Sequence, residues 1–186
     1  CYSVVEILVF IFKIQKKKDF LIMSKGHAAA AFYAYQFFKG KITKKNIKTF
    51  NLEGTYLSGH VTKNKVTKAD FSTGSLGHGL SVSLGLAISN NFLKNNKKIF
   101  CIISDGELNE GSTMEALYYA PSRKLNNLVV FLDYNKIQSY DFVKNIIDYK
   151  KIASKLKLIG WNTIEIKNGH NLREFNIYKE KILSPK

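Results

Sequence analysis

Lys98-Ile-Phe-Cys-Ile-Ile-Ser-Asp-Gly-Glu-Leu-Asn-Glu-Gly111 turns from apolar to acidic within a few residues. Its first half is short, β-branched and aromatic, and it stops at Ser-Asp-Gly, which predicts a parallel strand buried on both faces and closed by a tight turn. Asp105 then stands at the carboxyl end of the strand. A second run, Leu128-Val-Val-Phe-Leu132, reads as a parallel neighbour and delivers Asn135 thirty residues after Asp105. Adjacent parallel strands bring the carboxylate and the amide to one rim. Hard oxygen ligands of this kind suit Mg²⁺, with Ca²⁺ as the alternative, and Mg²⁺ commonly completes its octahedron with water and phosphate oxygens.

Outward from this stretch, helices are expected at 3–15, from His27 to Lys39, and from Lys44 to Phe50 behind a Thr43 cap. A polar loop spans Asn51 to Thr73. Between Gly77 and Asn95 the apolar residues Leu80, Leu84, Ala87, Ile88 and Phe92 recur at helical spacing. Strand 98–103 leads to a helix at Ser112–Arg123, strand 128–132 to a helix at Tyr149–Ile159, and a strand at Trp161–Ile166 to a helix at Leu172–Leu183. Pro121 removes an N–H donor and is expected to bend or end its helix. This alternation predicts an α/β fold, a parallel sheet with helices on both faces and ligands at the strand ends. The 186 residues are enough for one such domain over 1–186.

A formal charge of +15 raises the question of nucleic acid. The basic residues other than Arg123 and Arg173 are lysines, scattered or in runs such as Gln15-Lys-Lys-Lys18 and Asn95-Asn-Lys-Lys98 between elements. They read as solvated loops, with no nucleic-acid partner. Cys1 and Cys101 have no pairing or zinc-ligand logic, which points to a reducing cytoplasm. The apolar run Val4–Phe12 contains Glu6 and is too short to span a bilayer, so it reads as a buried helix and no membrane partner is expected.

Each of the four histidines follows a glycine: His27, His60, His78 and His170. Such pairs present the ring from a turn. The loop Gly74-Ser-Leu-Gly77-His-Gly79 opens a helix, whose first N–H groups and dipole favour an anion. Glu107, Glu110 and Glu115 fall where a helix dipole alone would favour acids.

Three segments together, Ser24-Lys-Gly-His-Ala28, Ser72-Thr-Gly-Ser-Leu-Gly-His-Gly-Leu80 and Asp105-Gly-Glu-Leu-Asn-Glu-Gly111, followed by Asn135, resemble transketolase in the same order, from about Val5 to about His170. The likeness is to the amino-terminal chain of a transketolase split in two. It implies a thiamine-diphosphate-binding fold that holds Mg²⁺ through Asp105, Asn135 and the Ile137 carbonyl. It implies cofactor contacts from His27, Gly74, Ser75, Leu76, Gly106, Glu107 and Asn135, and catalytic roles for His27, His60 and Glu110. His60 would approach the hydroxyls of the donor sugar, and Glu110 would join a hydrogen-bonded network between subunits. Ser104 stands where the family has the first glycine of Gly-Asp-Gly, and His78 where it often has Gln. His78 is expected to make a hydrogen bond within its loop, and His170 to be a surface residue.

The activity so implied is transfer of two-carbon ketol units between a ketose phosphate and an aldose phosphate, as in the pentose phosphate pathway. The glutamate that protonates the aminopyrimidine belongs to another domain in this family, so a carboxyl-terminal subunit is the expected partner, in a dimer of heterodimers. Both chain ends read as incomplete: a Ser-Gly-His segment is missing before Cys1, and Ile182-Leu-Ser-Pro-Lys186 stops short of a further strand. The alternatives are another thiamine-diphosphate enzyme, of the 1-deoxyxylulose-5-phosphate synthase or 2-oxo-acid-decarboxylating type, or a non-catalytic remnant.

Overall fold

The computed structural model describes residues 1–183; the last three, at the end of the stretch expected to stop short of a strand, lie outside the described residues. Strands β1 (Phe20–Met23), β2 (Ile99–Ser104) and β3 (Leu128–Asp133) form a parallel sheet in the order β1-β2-β3. Met23 pairs with Ile102, and Ser104 with Asp133, so all three strands end at one rim. Every residue of β2 is buried, as its unbroken apolar run requires.

Around the sheet lie helices α1 (Val5–Ile14), α2 (Ala29–Phe38), α3 (Lys44–Ile47), α4 (His78–Phe92), α5 (Gly111–Ser122), α6 (Val143–Ile146), α7 (Ile152–Leu158), α8 (Leu172–Ile177) and α9 (Lys179–Leu183). Alternate strand residues face opposite ways. Leu21, Met23, Phe100, Ile102 and Phe131 meet Phe10 and Ile11 of α1, Phe32 of α2 and Phe175 of α8. Ile22, Ile99, Cys101, Ile103 and Leu128 meet Leu80 and Ala87 of α4 and Ala116, Leu117 and Ala120 of α5. Helices therefore cover both faces, as expected. Phe10 joins three elements, its ring 6.2 Å from Phe131 and 5.4 Å from Phe175; a buried side chain of this size contributes about 1.5–3 kcal/mol.

The Thr43 cap forms, its Oγ1 accepting from the Asn46 N–H at 3.2 Å. Pro121 falls in the last turn of α5, which ends at Ser122. Three readings fail. Phe20–Met23 is a strand that the sequence left unassigned, because four apolar residues behind a lysine run carry too little periodicity. Trp161–Ile166 is not a strand, and the sheet stops at β3. The Trp161 indole N–H donates to the Leu117 carbonyl at 2.7 Å on one side of the sheet, while Ile166 packs in the core on the other. The helix expected at 172–183 is also divided, into α8 and α9 at Tyr178.

Candidate cofactor and metal site

Three loops from distant parts of the sequence are stitched together beyond β1. The Val61 N–H donates to the Gly26 carbonyl at 3.2 Å and the Thr73 N–H to the Val61 carbonyl at 2.8 Å. The Thr73 hydroxyl donates to the Met23 carbonyl at 2.7 Å. A Cβ on Gly26 would lie 2.8 Å from the Gly74 nitrogen, so only glycine allows this approach. The His60 ring lies against Gly74, in ordinary contact with the position its Cβ would take. His27 stands exposed on the 3₁₀ turn Gly26–Ala28. The protein packed around it, and then the Lys25 charge, hold its imidazole below the ordinary pKa; the charge of His60 acts in the same direction. His27, His60 and Gly74 are thus brought together.

Beyond β2 and β3 the metal candidates converge. Asp105 is buried; its Oδ1 accepts from the Gly106 N–H at 2.9 Å and its Oδ2 from the Lys136 N–H at 2.8 Å. Lys136 takes a positive φ of 68°, and the Asn135 Oδ1 accepts from the Ile137 N–H at 2.9 Å, which curls this loop over the end of β2. Burial raises the Asp105 pKa, against the pull of the two N–H groups and of Lys25. A buried carboxyl with spare lone pairs, tied through the Lys136 N–H to the loop that carries the Asn135 amide, offers oxygen donors of the kind a hard cation takes. Among the described residues no cluster of three His, Cys, Asp or Glu side chains is placed to hold a metal.

Glu107 is placed differently from its expected cofactor contact. It is fully buried. Its Oε1 accepts from the Ser24 hydroxyl and, at 3.2 Å, from the Gly77 N–H, while its Oε2 accepts from the Ser104 N–H at 2.9 Å. The side chain therefore fastens the end of β1 and the start of α4 to the end of β2, and it takes one of the helix N–H groups offered to an anion. Ser104 serves as the cap of this turn.

Gly77 caps α4 with φ +82°, and a Cβ on it would lie 2.7 Å from the Glu110 Cβ, so Glu110 sits half-buried at the junction of α4 and α5. Leu76 is half-buried and Ser75 exposed in the same loop; Glu115 is exposed on α5. His78 bonds within its loop, Nδ1 to the Leu76 carbonyl at 3.0 Å, as expected. His170 is exposed, and its Nδ1 lies 3.1 Å from Glu6 on α1.

Sequence reasoning missed one pair. The Lys25 Nζ donates to the Asp133 Oδ2 at 2.7 Å with both residues buried, and the Ser3 hydroxyl donates to the same oxygen at 2.7 Å. A signal was available: opposite charges stand at the ends of two short apolar runs.

These features define a class, an α/β protein whose glycine-lined loops and oxygen ligands form a binding rim at the carboxyl ends of parallel strands. Residues 14–181 match the family described as transketolase, thiamine diphosphate binding domain, and the chain belongs to that family. It is 35% identical over 158 residues to the 6-deoxy-6-sulfo-D-fructose transketolase subunit SqwG of Clostridium sp. (strain MSTE9), covering 85% of this chain and 57% of that protein. It is 36% identical over 160 residues to an apulose-4-phosphate transketolase subunit of Actinobacillus succinogenes, covering 86% and 58%. Against the crystal structure of transketolase from Campylobacter jejuni it reaches a TM-score of 0.89 at 26% identity, covering 97% of this chain and 31% of that one. The chain thus spans a little more than half the length of the first two relatives. Family membership supports thiamine diphosphate as the ligand of the rim, and the buried Asp105 carboxyl and the close-packed glycines fit such a group. Among the described residues no helix is long and apolar enough to cross a membrane.

Proposed function

We propose that this chain is the diphosphate-binding part of a transketolase, transferring two-carbon ketol units from a ketose phosphate to an aldose phosphate. When bound, thiamine diphosphate supplies the electron sink for breaking and forming the carbon–carbon bond. Asp105, Asn135 and the Ile137 carbonyl would hold Mg²⁺ against the diphosphate. Gly106 and the Gly74–Leu76 loop would approach the cofactor closely. His27 and His60 would orient and polarise sugar hydroxyls, His27 as a neutral imidazole able both to donate and to accept. Glu110, at the α4–α5 junction, would meet the second subunit.

The observation that carries this reading is the convergence of the Asp105 and Asn135 loops with the His27, His60 and Gly74 loops at one end of the sheet. The two curated relatives above are named as transketolase subunits. Both support a carboxyl-terminal partner that supplies the rest of the site, in a dimer of heterodimers. Two free cysteines suit the reducing cytoplasm. The test is calorimetry on Asp105→Ala. This variant is expected to keep its fold, because the residue follows a strand end, and to lose Mg²⁺-dependent thiamine diphosphate binding. Unchanged affinity would remove the metal site.

A further inference from the structure

A buried ion pair surrenders the hydration of both groups, and apolar residues of similar volume often hold a core equally well. Cohesion alone is therefore a weak reason for Lys25 and Asp133 to face each other inside this fold. Their location offers another. Lys25 lies two residues beyond the end of β1 and two before His27; Asp133 ends β3 and lies two before Asn135. β2 runs between those strands, so the 2.7 Å contact from Nζ to Oδ2 reaches across its end, where Asp105 follows. Ser3 closes the arrangement, donating to the same Asp133 oxygen and accepting from Nζ at 3.3 Å.

We propose that Lys25 and Asp133 are a positioning pair whose contact sets the separation of the His27 loop from the Asn135 loop, and with it the span of the rim. The pair links the two sides of the rim from beneath, with one charge anchored in each loop's root. The tie is directional and short, whereas apolar contacts would let the loops slide. This inference rests on the reading of the rim as a cofactor site, and its first readout needs no cofactor.

The test uses the full chain and two variants, Asp133→Asn and the double variant Lys25→Met/Asp133→Leu. Asp133→Asn keeps the shape and one acceptor oxygen but leaves the buried Lys25 without its counter-charge, whereas the double variant removes both charges, so the double variant is the one that folds if Asp133→Asn does not. Amide exchange is followed at Lys136, whose N–H bonds Asp105, at Val61, whose N–H bonds Gly26, and at Ile102 inside β2. Exchange at Lys136 and Val61 should quicken roughly tenfold more than at Ile102, since local opening is separable from global unfolding. In the double variant the thermal midpoint should return to the wild-type value while the two rim amides stay fast. Unchanged exchange at both rim amides, or an even rise across the sheet that follows the midpoint, would overturn the proposal. In protein that binds Mg²⁺ and thiamine diphosphate, the double variant should bind roughly tenfold more weakly, and equal affinity would count against the pair. Failure of the wild-type assembly to bind the cofactor would instead refute the cofactor reading, leaving the exchange result to decide whether the pair sets the loops.

Discussion

At Glu107 a carboxyl group out of contact with water accepts from Ser24, Gly77 and Ser104, three donors on three different segments. Exchange for Gln keeps the volume but turns an amide N–H₂ toward donors on one side. Glu107→Gln is therefore expected to lower stability by about 1–3 kcal/mol, the cost of leaving buried donors unmatched. Urea unfolding would measure it, and an unchanged midpoint would mean that the three donors find other acceptors. The histidines separate by place in the same way. His60→Ala should retain cofactor affinity and lose about 10²-fold in ketol-transfer rate, the usual scale for a positioned acid–base group. His170→Ala, at an exposed residue beside Glu6, should leave the rate unchanged; equal losses in the two variants would undo the assignment of His60.

Among the elements, α4 comes close against the residue that follows β1, and glycine sets the approach. A Cβ on Gly79 would come within 2.4 Å of the Ser24 Cβ and 2.6 Å of its Cα, neither of which can rotate away. Gly79→Ala must push the first turn of α4 off the end of β1, carrying the Gly77 N–H away from Glu107. The expected cost is about 1–3 kcal/mol, as for other overpacked sites, together with weaker thiamine diphosphate binding. Gly85 lies two turns further along the same helix, exposed, with no atom within 4 Å of its Cβ position. Gly85→Ala should stabilise by up to about 1 kcal/mol, the difference in helix propensity. Thermal melts of the two variants, run side by side, should move in opposite directions. A shared direction would mean that helix propensity, not the contact with Ser24, governs α4.

On the scale of the whole molecule, the rim is built by one chain but the proposed reaction calls for two. The isolated chain should bind Mg²⁺ and thiamine diphosphate weakly and transfer no two-carbon units, and a carboxyl-terminal transketolase subunit should restore both. A ligand held between chains favours the assembled state. Sedimentation of the mixed subunits should accordingly show a complex that tightens when cofactor and Mg²⁺ are added. Turnover of a ketose phosphate by this chain alone would overturn the division of the site.

The sequence by itself determined the centre of the sheet, the class of the fold and several of the rim residues. β2 and β3 are continuous apolar runs because a parallel strand is covered on both faces, and that pattern is local enough to read directly. The Gly-His turns, the helix opening at Gly77 and the loop bond of His78 are likewise set by neighbouring residues. Tertiary structure alone decided the rest. Phe20–Met23 became a strand only because β2 offered it an edge, and Trp161–Ile166, apolar enough to be expected as a strand, joins no ladder. Glu107 reads locally as a helix-start acid, yet its partners lie as far away as Ser24; Lys25 and Asp133 are separated by 108 positions. Periodicity reports how a segment divides its surface between core and water. Which buried polar groups satisfy one another depends on which strand ends the sheet brings to the same rim, and that is a property of the assembled fold.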